Sequence, residues 1–144
     1  MIIKIDSREP KSMEMFAKTV DEKLEFERKF MTEGDYVCGG ICIERKEISD
    51  FCGSIISGRL EGQIEKMKKV YKNIIVVIVG GVEKRQSEIH ENCIWGMISK
   101  LLVEHKVNCL MVPDEFAFIY LMKRIFEREE EMVMTKSVEE VVTG

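Results

Sequence analysis

No stretch of this sequence is apolar for long enough to cross a bilayer. The longest near-continuous apolar run, Ile74 to Val79, is far short of the roughly 20 residues that a membrane helix needs. Nor does a signal-peptide pattern open the chain, because Lys4 and Asp6 break up the apolar Ile2, Ile3 and Ile5 at once. Disulfide scaffolding is also missing: the five cysteines are irregularly spaced, and an odd count predicts a reducing, intracellular compartment, the cytoplasm in a prokaryote. With no pair of CxxC motifs, the spacing of a zinc ribbon is absent too. There is no basic excess; a net charge of −4 argues against indiscriminate binding to nucleic acid. Internal repeats and low-complexity segments are lacking as well. What remains is a chain of 144 residues, enough for one well-buried core and too short for two.

The apolar pattern supplies the elements. Ile2, Ile3 and Ile5 predict a first strand closing on Asp6-Ser7-Arg8-Glu9, and Met13, Phe16, Ala17 and Val20 recur at helical spacing after Pro10. Alternation predicts a second strand over Lys23 to Phe30. Further on, helices are expected around Ile48 to Ile55, stopped by Gly58, and from Leu60 to Lys72. Ile74 to Val79 is apolar on both faces, which predicts a central strand covered by helices on both sides. A helix over Ile89 to His105, a strand over Val107 to Val112 and a last helix reaching about Glu131 complete an α/β domain with a mixed central sheet, assigned to residues 1–131. Residues 132–144 read as a flexible tail or linker. From Phe116 to Met122 the last helix is apolar almost all round, so a second apolar neighbour is expected, a dimer partner or the chain's own interior.

Chemistry concentrates between Gly34 and Asp50, in GDYVCGGICIERKEISD. Gly39 and Gly40 are expected to supply the positive torsions of a tight hairpin that folds the strand after Asp35 against the strand carrying Glu44. Strand alternation then turns Glu44 and Lys46 to one face, and Ile41, Ile43 and Arg45 to the other. Two carboxylates suit Mg²⁺, which takes one or two protein carboxylates beside a phosphate oxygen, and a nearby ammonium suits phosphodiester hydrolysis. On spacing alone an exposed, ion-paired hairpin accounts for the same residues. Arg45, on the inner face, needs a carboxylate partner if buried, for which Asp50 and Asp6 are the candidates; snorkelling to the sheet edge is the alternative.

These residues resemble the signature of the XPF family of structure-specific endonucleases, GD followed after a gap by ERK, three residues and D. IDSRE before the first helix resembles the family's VDxRE segment, and SIISGRLEGQIEKMKKVY its helix-turn-helix stretch. The likeness continues in register over most of the chain. It implies a restriction-endonuclease-like fold that cuts branched, flapped or forked DNA with Mg²⁺ or Mn²⁺. Position by position, Asp35 and Glu44 resemble the metal ligands and Lys46 the catalytic lysine. Arg45 and Asp50 resemble a supporting pair, and Asp6, Arg8 and Glu9 match the first acidic block. Ser54, Arg59 and Gln63 match the segment bordering the DNA groove. The family also pairs through its last helices, which implies a homodimer or heterodimer through Phe116 to Phe126.

One departure bears on affinity. Active relatives append helix-hairpin-helix modules, and often a helicase, whereas only a short tail follows Glu131 here. DNA grip is therefore expected from a separate helix-hairpin-helix or helicase partner, or from a longer protein of which this is a domain. A non-catalytic, dimerising DNA-binding platform that serves a larger nuclease is the alternative; inactive partners typically lose the acidic and lysine positions that this sequence keeps.

Overall fold

The computed structural model describes residues 1–143. In chain order the elements are β1 (Ile2–Asp6), α1 (Met13–Val20), β2 (Glu25–Lys29), β3 (Tyr36–Cys38), β4 (Ile41–Glu47), α2 (Ile48–Ser57) and α3 (Leu60–Val70), followed by β5 (Asn73–Val79), α4 (Glu91–Val103), β6 (Asn108–Val112) and α5 (Glu115–Thr143). The six strands form one sheet in the order β2-β1-β3-β4-β5-β6. β4, β5 and β6 run parallel, as do β1 and β2, while β3 is antiparallel to both of its neighbours. The expected mixed sheet is therefore present, with the hairpin at its centre and the apolar β5 inside its parallel half.

Two cores lie on opposite faces. On one, Phe51, Cys52, Leu60, Ile64, Ile94 and Leu101 of α2, α3 and α4 pack on Cys42, Ile74, Val76 and Ile78. On the other, Met13 and Ala17 of α1 and Phe118, Ile119, Met122 and Phe126 of α5 pack on Ile3, Ile5, Tyr36, Ile43 and Val77. Alternation along β4 thus sends Cys42 to the first core and Ile43 to the second, and the same parity carries Glu44 and Lys46 to the α2–α3 side and Arg45 to the α5 side. Helix α2 stops where expected: Gly58 adopts the left-handed conformation (φ 73°) and its amide donates to Ile55.

Sequence expectations are corrected at the hairpin and at the end of the last helix, and one left open at that helix is resolved. Of the glycine pair only Gly39 has a positive torsion (φ 59°), so a single left-handed residue suffices for the turn. The apolar ring around α5 has a mainly internal explanation: Phe118 and Phe126 are fully buried in the chain's own core, and the Phe118 ring lies 5.3 Å from that of Tyr36. Phe116 and Tyr120, at 53% and 56% exposure, are what the outer side presents. Helix α5 also does not end near Glu131 but runs on to Thr143, with Glu131 to Val142 exposed. Its Glu and Lys residues are good helix formers that need no apolar stripe to continue a helix already nucleated upstream. Gly144, the last residue of the expected tail, lies outside the described residues. Among the described residues no helix is long and apolar enough to cross a membrane.

Candidate active site

Gly34 positions the first acidic residue. It is left-handed (φ 85°), and a side chain there would collide with Cys42 Sγ. From this bend the Asp35 amide donates to the Ile43 carbonyl at 3.1 Å, and the Asp35 carbonyl accepts from the Asp6 amide at 2.8 Å. Asp35 Oδ2 in turn accepts from the Arg45 amide at 2.8 Å, which draws its carboxylate across to β4 beside Glu44. Burial, the Glu44 charge and a hydrogen bond between the two carboxyl groups drive Asp35 well above the carboxylate range.

Asp35 and Glu44 line a cleft of about 300 Å³ together with Asp6, Arg8, Glu9 and Gln63. Lys46, two residues beyond Glu44 on the same face, donates to Gln63 Oε1 at 3.3 Å across the groove between β4 and α3. Among the described residues no group of three or more His, Cys, Asp or Glu is arranged to hold a metal ion. The donor set is thus a pair of hard carboxylates in a polar cleft. That fits Mg²⁺ or Mn²⁺, which complete their shell with water and phosphate oxygens, and does not fit an all-protein cage.

The first acidic block lines the same cleft and is tied into the fold by hydrogen bonds. Asp6 is buried; Oδ1 accepts from the Met31 amide at 2.9 Å and Oδ2 from Arg8 Nε at 2.8 Å. Burial works to raise its carboxyl, yet these hydrogen bonds outweigh it and hold Asp6 below its ordinary value. Glu9 lies on the α5 side, where Oε2 accepts from Arg45 Nε at 2.7 Å and from the Tyr36 hydroxyl at 2.9 Å. Burial, and then the Asp35 charge, raise the Glu9 carboxyl against the pull of Arg45.

Arg45 is paired with neither expected partner. Its guanidinium meets Glu9 and, at 2.7 Å, Glu115 at the start of α5, with Glu47 at 3.6 Å. Asp50 cannot reach it because α2 packs on the opposite face of the sheet; Asp50 is exposed in the first turn of that helix. Asp6 is held by Arg8 and Met31 instead. Ser54, expected at the DNA-facing surface, is 3% exposed and donates to the Phe51 carbonyl at 2.7 Å, so it braces the end of α2. Arg59 and Gln63 are exposed at the start of α3, as a groove-bordering role requires. The sequence reading missed Glu115 and Tyr36. Tyr36 carries a local signal, since it directly follows Gly34-Asp35; Glu115, 70 residues from Arg45, carries none.

Residues 5–125 match the ERCC4 domain. The chain belongs to that family. This ERCC4 domain is 31% identical over 115 residues to a putative ATP-dependent RNA helicase of Methanocaldococcus jannaschii, covering 79% of this chain and 14% of that protein. It is 56% identical over 46 residues to the DNA repair endonuclease XPF of Dictyostelium discoideum, covering 31% of this chain and 5% of the relative. The ERCC4 domain thus spans a small part of the length of these curated relatives. In fold it matches XPF from Aeropyrum pernix with a TM-score of 0.81 at 19% identity, over 99% of this chain and 69% of that one. The same protein solved in complex with DNA matches at 0.79, over 90% of this chain and 65% of that one. The XPF resemblance read from the sequence is borne out, and so is the mixed α/β fold read from its apolar pattern.

Proposed function

We propose that this ERCC4 domain is a divalent-metal-dependent endonuclease that hydrolyses phosphodiester bonds in branched, flapped or forked DNA. One observation carries the reading: Asp35 and Glu44 meet in a single cleft, with Lys46 on the same face beside Gln63. Support for the substrate comes from the relatives' names, the DNA repair endonuclease XPF and the DNA-bound XPF from Aeropyrum pernix.

In this reading Asp35 and Glu44 would hold Mg²⁺ or Mn²⁺, which would supply Lewis-acid polarisation of the phosphate and acidify water. The Arg45 amide fixes the angle of the Asp35 carboxylate. Lys46 brings its ammonium to the charge that develops on the phosphate, and Gln63 orients that ammonium. Arg59, exposed just before α3, borders the groove along which the phosphate backbone lies. Such a substrate goes with an intracellular location, the cytoplasm in a prokaryote.

Partners follow from what is left exposed. Phe116 and Tyr120 on the outer side of α5 are the surface offered to a homodimer or heterodimer partner. A separate helix-hairpin-helix or helicase component supplies the DNA grip that a net charge of −4 does not.

Flap and fork DNA incubated at low salt with Mg²⁺ or Mn²⁺ tests the reading, with Asp35→Ala and Lys46→Ala alongside. Each substitution is expected to slow cleavage by about 100-fold or more. Cleavage that survives both would show that the bond is broken at another site. A dimer that binds branched DNA yet takes up no divalent cation would favour the non-catalytic platform.

A further inference from the structure

A second cleft, of about 340 Å³, adjoins the catalytic one and shares Thr32 and Glu33 with it as a common wall. Phe30 stands in this second cleft, 65% exposed. A large aromatic in solvent beside a catalytic cleft needs an explanation, because packing supplies none. It is also not loosely held. The Arg8 guanidinium lies over its ring, 4.9 Å from the centroid, and is itself fixed by Asp6 Oδ2 at 2.8 Å and by the Met31 carbonyl at 2.7 Å. The Met31 amide is tied to Asp6 Oδ1, and the Tyr71 hydroxyl donates to the Glu33 carbonyl at 2.9 Å. The segment that carries Phe30 and forms the shared wall is therefore pinned from both sides, and Arg8, which lines the catalytic cleft, also stacks on Phe30.

The charge of the second cleft is opposite in tendency to that of the first. Where Asp6, Glu9, Asp35 and Glu44 line the catalytic cleft beside a single cation, Arg8, the second is lined by Lys4 and Lys29, with Glu33 on the wall the two clefts share. Both lysines are exposed and, among the described residues, neither forms an ion pair. A preformed aromatic face backed by a guanidinium and flanked by unpaired ammonium groups is the arrangement that takes an unpaired nucleobase by stacking and its phosphates by charge.

We propose that the Phe30 cleft binds the single-stranded nucleotides adjoining the scissile phosphate, with Phe30 as the stacking platform and Lys4 and Lys29 as its phosphate contacts. This rests on the reading of the domain as a DNA nuclease and adds the means by which it selects a single-strand junction over plain duplex. Arg8 positions the platform. Phosphodiester chemistry stays in the neighbouring cleft.

Binding measured without turnover tests it. A duplex bearing a single-stranded arm with a fluorescent adenine analogue at the junction is titrated with the full chain in EDTA, against a blunt duplex of the same length. Phe30→Ala is expected to weaken the armed substrate by at least about fivefold and to abolish quenching of the analogue, since loss of one stacked base has that size of effect. Phe30→Trp should restore both. Blunt-duplex affinity should change by less than about twofold, because phosphate contacts carry it. Phe16→Ala, which removes an exposed aromatic on the α1 and α5 side, should change neither. Circular dichroism checks that each variant is folded.

Equal affinity of wild type and Phe30→Ala for the armed substrate overturns the proposal, as does a parallel loss on the blunt duplex or a wild-type chain that does not bind the arm. The nuclease reading fails separately: Phe30-dependent binding of the arm with no cleavage in Mg²⁺ or Mn²⁺ sinks that reading and leaves the platform standing.

Discussion

The Arg45 amide donates to Asp35 Oδ2 at 2.8 Å, so the residue that anchors β4 from one face of the sheet also aims a carboxylate on the other. Backbone and side chain of Arg45 thereby join two halves of the structure. Its guanidinium, 8% exposed, sits between Glu9, equally buried, and Glu115. Replacing Arg45 by Met should cost about 3 kcal/mol in urea unfolding, because the buried Glu9 and the partly buried Glu115 lose their counter-charge. The Glu9→Gln/Arg45→Met double variant should recover part of that loss. An Arg45→Met chain as stable as the wild type would show that the ion pairs contribute nothing net.

Asp35→Asn should act in the opposite sense on stability. Burial beside Glu44 makes the ionised Asp35 unfavourable, so the amide should stabilise the cation-free protein by roughly 1 kcal/mol or more while cleavage is lost. Adding Mg²⁺ should raise the Tm of the wild type and leave that of Asp35→Asn unchanged. A lower Tm for the amide without cation would mean that the two carboxyl groups do not oppose each other.

Gly34→Ala tests the bend that delivers Asp35. A positive φ and the collision with Cys42 Sγ both act against a side chain, so a loss of at least about 1 kcal/mol is expected. Cleavage should fall further than the lost stability explains, because Asp35 moves with the bend. Gly53→Ala, at a helical glycine with open space around it, is the control and should be neutral or stabilising.

His105 ties the end of α4 to α3, with Nε2 at 2.7 Å from Glu61 and Nδ1 at 2.9 Å from Glu65. Hydrogen bonds to Glu61 and Glu65 raise the imidazole above its ordinary value. This contribution to stability is complete below the unfolded imidazole value of about 6.5 and is lost as pH rises through the folded value. The same contacts, with help from Lys100, lower Glu61, so from the acid side the contribution is lost as pH falls through the carboxylate range. Tm should peak between the two ranges, and His105→Gln should flatten the alkaline limb.

The sides of α5 separate by substitution. Phe126→Ala should cost about 3–5 kcal/mol as a cavity in a fully buried site. Tyr120→Ala should change the stability of one chain by no more than about 0.5 kcal/mol. If the outer side pairs with a partner, Tyr120→Ala lowers the sedimenting mass; an unchanged dimer would place the interface elsewhere.

Local pattern carried much of this structure. Period-two alternation alone put Lys46 and Glu44 on one face of β4 and Arg45 on the other, and Gly58 stopped α2 through its own backbone freedom. The partners of Arg45 were not legible, because Glu115 is joined to it only by the way α5 crosses the sheet. Ser54 matched a motif, yet its exposure is decided by the packing of α2 on β4 and β5. The apolar ring of α5 was visible, but which side meets the chain's own sheet depends on where Tyr36 and Ile43 stand.

Helix α5 touches β4 and the turn that leads into it at two separate points. Glu115 holds Arg45, while Glu129 lies against Gly39 and accepts from the Gly40 amide at 3.4 Å. From residue 115 to residue 129 a helix rises about 21 Å, against about 17 Å for the extended segment from residue 40 to residue 45, and the long Glu and Arg side chains take up the difference. The helix therefore works as a ruler laid along β4. One extra turn between its two marks would leave only one of them aligned, and whatever grasps α5 from outside also grips the strand that bears Glu44 and Lys46.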